Sequence, residues 1–181
     1  LLCGDYFKFS RNLSNRIGIQ FDINRYTDIR CNSNLKKIVD LLNSYININS
    51  SKIILVSNGP YKSQLVESKA NEYDTLCYSN LISFLSSLAS LKVIITSHLH
   101  LAITAYALRI PCFSLYVREK TKRFYAQIGY PERAVDLKTA QEADLKRIIG
   151  EAENAVWTPM DEQKLALLKK DSYKLLEILK S

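Results

Sequence analysis

At 181 residues the chain is long enough for one domain that hides about 70% of its unfolded surface. Hydrophobic residues at 47% and charged residues at 24% exclude a disordered or fibrous protein. The formal charge of +7 favours an anionic partner, and no apolar run approaches the roughly 18 residues needed to cross a bilayer.

The start has scattered charges and no apolar core after them, so it does not read as a signal peptide. Cys3, Cys31, Cys77 and Cys112 form no C-x-x-C pair and no metal-ligand rhythm. They read as reduced thiols of a cytoplasmic protein, one that can work at the inner face of the membrane. Met160 is the only methionine, so the chain is expected to be one half of a larger protein. Residues 1–16 would then be a segment from a missing N-terminal domain, and 17–181 a single Rossmann-like domain with a long C-terminal helix.

Strand and helix signals alternate along the chain. Ile17 to Phe21 reads as a short strand, followed by a polar loop. Asn34 can cap a helix carrying Leu35, Ile38, Leu41 and Leu42 on one stripe. Ile53 to Val56 is a β-branched run ended by the turn signal Ser57-Asn58-Gly59-Pro60. A helix is expected near Tyr61 to Ala70, a brief strand at Thr75 to Tyr78, and a helix opened by Asn80 with Leu81, Phe84, Leu85 and Leu88 on one side. Lys92 to Thr96 is the next strand. Ser97 is the expected N-cap of a helix from about His98 to Leu108, with Leu99, Ala102, Ile103 and Tyr106 on one face. Cys112 to Val117 is a strand, and a basic helix from Arg118 to about Ile128 stops at Gly129. A short strand at Ala134 to Leu137 and helices near Gln141 to Ala155 and Asp161 to Leu179 finish the chain. In the last helix Leu165, Leu168, Leu175, Leu176 and Leu179 are available for packing. Six apolar strands separated by helices imply an α/β fold, a doubly wound parallel sheet in three layers.

The two histidines of the chain share one tripeptide, His98-Leu99-His100, directly after the apolar run Val93 to Thr96. In a sheet of order 3-2-1-4-5-6, ligands bind outside the carboxyl ends of the first and fourth strands, where the crossovers diverge. That crevice would be lined by Gln20, Phe21 and Asp22, by Ser97, His98 and His100, and by Arg118, Lys120 and Arg123. A helix beginning at Ser97 would offer free N–H groups to phosphate or carboxylate. The cluster Arg118-Lys120-Lys122-Arg123 reads equally well as an anion site or a solvated helix face. No carboxylate or further histidine stands near the pair, so neither a metal site nor a cofactor is expected. Gly18 is alone in its strand, so a dinucleotide fingerprint is missing. Charge favours nucleic acid, but no stacking platform or recognition motif supports it.

The stretch Ile95-Thr96-Ser97-His98-Leu99-His100, Ala102-Ile103, Ala107-Leu108-Arg109-Ile110-Pro111, Tyr116, Lys120 and Gly129 resembles the polysaccharide pyruvyl transferase family. The match covers about a fifth of the chain. It implies the C-terminal half of a two-domain enzyme of GT-B type. By position, His100 matches the family histidine that contacts the donor and is a candidate for proton transfer. Leu99 matches its neighbour, and Lys120 the lysine after the fifth strand. His98 stands where the family has a donor-binding arginine, and Asp22 about where another arginine ends the first strand. Arg25, Arg118 or a protonated His98 would have to compensate. The resemblance implies pyruvyl transfer from phosphoenolpyruvate to a sugar of a surface or capsular polysaccharide, with phosphoenolpyruvate or another phosphorylated donor and a glycan acceptor as partners. The alternative is the donor-binding half of a GT-B glycosyltransferase using a nucleotide sugar, which the two missing arginines favour.

Overall fold

The computed structural model describes residues 14–21, 33–57 and 73–178. Within them, residues 17–20, 93–96 and 112–116 are buried throughout, and six short runs form strands. These are β1 (Ile17–Gln20), β2 (Ile53–Ser57), β3 (Thr75–Cys77), β4 (Val93–Thr96), β5 (Cys112–Tyr116) and β6 (Ala134–Asp136). They form one parallel sheet of order β3-β2-β1-β4-β5-β6. The chain therefore builds outward from β1 in one direction, returns, and builds outward from β4 in the other. β1 and β4 lie side by side, with Ile17 opposite Val93 and Gln20 opposite Thr96.

Helices cover both faces, giving an α/β Rossmann-like fold in three layers. One face carries α1 (Ser33–Ile48) and α5 (Glu142–Glu153). Leu35, Ile38, Leu42 and Ile46 of α1 pack there with Leu145 and Ile148 of α5 on Ile17, Ile19, Val93, Ile95 and Phe113. The opposite face carries α2 (Leu81–Ala89), α3 (Leu99–Ala107), α4 (Glu119–Ile128) and α6 (Pro159–Ile178), packed on Val56, Ile94 and Cys112. Period-two alternation along each strand divides its residues between the two cores.

Local signals account for several helix ends. Asn80 caps α2, its side chain accepting the Ser83 N–H at 2.9 Å. Gly129 closes α4 in the left-handed conformation at φ 85°. Thr158 and Asp161 form a reciprocal pair at the start of α6: the Thr158 N–H donates to Asp161 Oδ2 at 2.9 Å and the Asp161 N–H to Thr158 Oγ1 at 3.2 Å. α6 is then clasped to the turn between α3 and β5 by Arg109, whose Nε and Nη2 grip both oxygens of Glu162 at 2.8 and 2.7 Å.

Several expectations need correction. The buried residues of α3 are Leu101, Ala102, Ala105, Tyr106 and Ala107, with Leu99 and Ile103 half-buried, because the helix is packed on two sides by β4 and α4. Leu81 faces outward at the start of α2, leaving Phe84, Leu85 and Leu88 to the core. Leu165 and Leu168 are buried as expected. The side chains of Leu175, Leu176 and Leu179, and the helix expected near Tyr61 to Ala70, lie outside the described residues.

Gly18 has a packing reason. A Cβ there would stand 2.7 Å from Leu91 Cδ1, 3.2 Å from Val56 Cγ2 and 3.3 Å from Ile94 Cγ1. The central strand needs a residue without a side chain to admit the layer above it. Among the described residues no helix is long and apolar enough to cross a membrane.

Candidate functional site

The carboxyl ends of β4 and β5 open onto one cavity of about 230 Å³. Ser97, His98, Leu99, His100, Val117, Arg118, Lys120 and Thr121 line it. Six of the residues singled out from the sequence are thus brought together: Ser97, His98, Leu99, His100, Arg118 and Lys120. Both imidazoles and the Lys120 ammonium share one mouth of the sheet. His98 and Leu99 are half-buried, and His100, Arg118 and Lys120 are exposed, so the charged groups stand at the rim.

Two helices begin at this cavity. α3 starts after His98 and α4 after Arg118, and neither residue caps its helix with a side-chain hydrogen bond. Sequence reasoning placed the first cap at Ser97. The structure moves it one residue on, because Ser97 is still pinned to the sheet, its N–H donating to the Gln20 carbonyl at 3.0 Å. Imidazole and guanidinium groups at these positions offer little competition for the first-turn N–H groups. Both helix starts therefore present positive potential to the cavity. With Arg118 and Lys120 beside them, the arrangement suits an anion, and the His100 imidazole lines the same cavity.

The remaining candidates separate. Gln20 is buried beneath the site and holds Thr96 and Ser97 rather than lining the cavity. Phe21 is buried in the core of the opposite face, as the alternation of β1 dictates. Arg123 and Lys122 are exposed on α4 and do not line the cavity. Asp22 and Arg25 lie outside the described residues. Among the described residues no group of three or more His, Cys, Asp or Glu side chains comes together. Sequence reasoning missed Val117 and Thr121. Thr121 could have been found from spacing, since it is the third residue of a helix that begins at Glu119.

Comparison with solved structures finds UDP-GlcNAc 2-epimerase from Methanocaldococcus jannaschii. One structure of it aligns with a TM-score of 0.53, and a second, in complex with UDP-GlcNAc and UDP, with 0.54. Each is 14% identical over 89% of this chain. The likeness establishes the fold. The chain spans 46% of each neighbour's length. No family model matches the sequence. A search of curated proteins also returns no match.

Proposed function

We propose that this chain is the donor-binding unit of a two-domain sugar-processing enzyme, and that the donor is phosphoenolpyruvate. The observation that carries the reading is the cavity at the ends of β4 and β5, where two uncapped helix starts, Arg118 and Lys120 surround an anion-sized space beside His100. A cavity of about 230 Å³ is at the small end for ligand sites. It suits a compact anion carrying carboxylate and phosphate close together. The family resemblance of the stretch from Ile95 to Gly129 supports the same donor, since Leu99, His100 and Lys120 match by position.

The reaction is ketal formation. The methylene carbon of phosphoenolpyruvate takes a proton, two hydroxyl oxygens of the acceptor sugar bond to the adjacent carbon, and phosphate leaves. One hydroxyl proton balances the protonated carbon and the other departs with phosphate. His100 acts as the general acid or base, a role worth roughly 10²- to 10⁴-fold in rate. The helix starts, Arg118 and Lys120 hold the donor's two anionic groups, with the His98 imidazole beside them.

A second reading keeps the site and changes the donor to a nucleotide sugar. The fold shared with an epimerase solved with UDP-GlcNAc and UDP favours it, as does His98 in place of an arginine that would grip a carboxylate bidentately. Thermal unfolding of the full-length protein separates the two. A ligand at a hundred times its dissociation constant stabilises by about 2.7 kcal/mol, a rise of roughly 5–10 °C for a domain of this size. Protection by phosphoenolpyruvate and not by UDP or UDP-N-acetylglucosamine is the expected result; the reverse pattern transfers the site to the second reading. His100→Ala should abolish turnover with the melting temperature unchanged, and near-normal turnover by that variant would refute the assigned role.

A further inference from the structure

A polar row crosses three neighbouring strands at the end of the sheet that carries the cavity. Gln20 of β1 stands in register opposite Thr96 of β4, and Thr96 opposite Ser114 of β5. All three are buried. An amide and two hydroxyls in such a place are costly unless each finds a partner. Ser114 is satisfied locally, 3.0 Å from the Tyr125 hydroxyl. The Gln20 carbonyl oxygen and the Thr96 hydroxyl are satisfied by a chain that leads to the site. The His98 N–H donates to Thr96 Oγ1 at 2.9 Å, and Thr96 Oγ1 lies 2.6 Å from Gln20 Oε1.

The direction of that chain follows from its partners: Thr96 Oγ1 accepts the His98 N–H and donates its own hydroxyl proton to the Gln20 carbonyl oxygen. The Ser97 hydroxyl approaches the same oxygen at 3.5 Å. The relay therefore runs from the backbone of His98 through Thr96 to Gln20, on a different strand 76 residues earlier than Thr96.

We propose that Gln20 is a positioning residue for the donor site: through Thr96 it holds the His98 peptide and so sets where the first turn of α3, with both histidines, meets the donor. Most helices are anchored at their start by a capping side chain, which occupies the N–H groups of the first turn. At α3 the cap residue, His98, makes no such side-chain hydrogen bond. A Ser or Asp cap at this position would compete with an anionic ligand for those groups. The relay grips instead the N–H of the cap residue itself, which the helix does not need. It fixes the turn from beneath and leaves the helix start open toward the cavity. This inference rests on the cavity being the donor site, as proposed above.

Selective ¹⁵N-histidine labelling of the full-length protein tests it, because this chain contributes only two histidine signals. Thr96→Val removes the hydroxyl without changing shape, and Gln20→Met removes the acceptor while leaving Thr96 in place. Both should move the His98 backbone amide resonance, speed its hydrogen exchange, and weaken binding of phosphoenolpyruvate, or of UDP-N-acetylglucosamine if that is the probe the wild type binds, by about tenfold. Thr96→Ser should restore both readouts. The double variant should lose no more than the larger single loss, since one relay is cut twice. A merely structural role would lower the melting temperature and leave the affinity alone. An unmoved His98 amide in Gln20→Met, or losses that add in full in the double variant, overturn the proposal; if Thr96→Val does not fold, Gln20→Met alone decides. Should the wild type bind neither probe, the donor reading falls, while the amide resonance still decides whether Gln20 holds the His98 peptide.

Discussion

Replacing Gly18 by alanine tests the packing of the central strand. In a strand interior this change ordinarily stabilises by roughly 0.5–1 kcal/mol, through the lower entropy of the unfolded chain. Here the added carbon would sit 2.7 Å from Leu91 Cδ1, with Val56 Cγ2 and Ile94 Cγ1 at 3.2 and 3.3 Å. The Leu91 methyl is the end of a side chain and can rotate, but all three neighbours are fully buried. Val56 and Ile94 are also stiff at χ1. Overpacking of this kind costs about 1–3 kcal/mol. The net expectation is a loss of about 1–2 kcal/mol, or a melting point lowered by roughly 2–8 °C for a domain of this size. Urea unfolding of the full-length protein and its Gly18→Ala variant should show a lower midpoint with an unchanged slope. A variant as stable as the wild type, or more so, would refute the argument that β1 needs a bare backbone here.

Three further predictions follow from particular side chains. Burial pushes the Cys112 thiol up to about 12, so in the native protein at pH 8 it should resist alkylation that reaches the half-buried Cys77; mass spectrometry showing equal labelling of the two would contradict this. Hydrogen bonds from Arg109 hold the Glu162 carboxyl below the ordinary range. A carboxylate with a depressed folded pKa adds stability above its unfolded value and loses it as pH falls through the folded one. Glu162→Gln should therefore cost no more than about 1 kcal/mol at pH 7, the pair being partly exposed, and should flatten the loss of stability in acid; an acid limb identical to wild type would sink that assignment. Lys120→Ala should weaken binding of the anionic donor and make it less sensitive to salt, measured by titration at low and high ionic strength; an unchanged salt slope would remove Lys120 from the site.

Much of the fold was legible before the structure because strand and helix signals here are local. The runs at Ile53, Val93 and Cys112 are short, apolar and β-branched or aromatic, and the glycine at 129 stops a helix where a left-handed residue is needed. Legibility failed where burial is decided by two neighbours at once. The face of α3 turned out to include Leu101 and Ala105 because β4 and α4 both press on it. Leu81 was read as core from its spacing and lies instead at the exposed first turn of α2. The cap of α3 moved from Ser97 to His98 because a hydrogen bond to Gln20, distant in sequence, keeps Ser97 in the sheet.

The sequence by itself determined the elements, their parallel arrangement, and the tripeptide His98-Leu99-His100 at the end of a buried strand. Periodicity and turn chemistry are properties of neighbouring residues, so they can be read from the chain. Only the tertiary structure decided that Val117 and Thr121 join the cavity while Arg123 stays outside it, that Phe21 turns into the opposite core, and that Gln20 reaches the site from beneath. Those outcomes depend on strand order and on the side each residue faces, which arise only when β1, β4 and β5 pair in register.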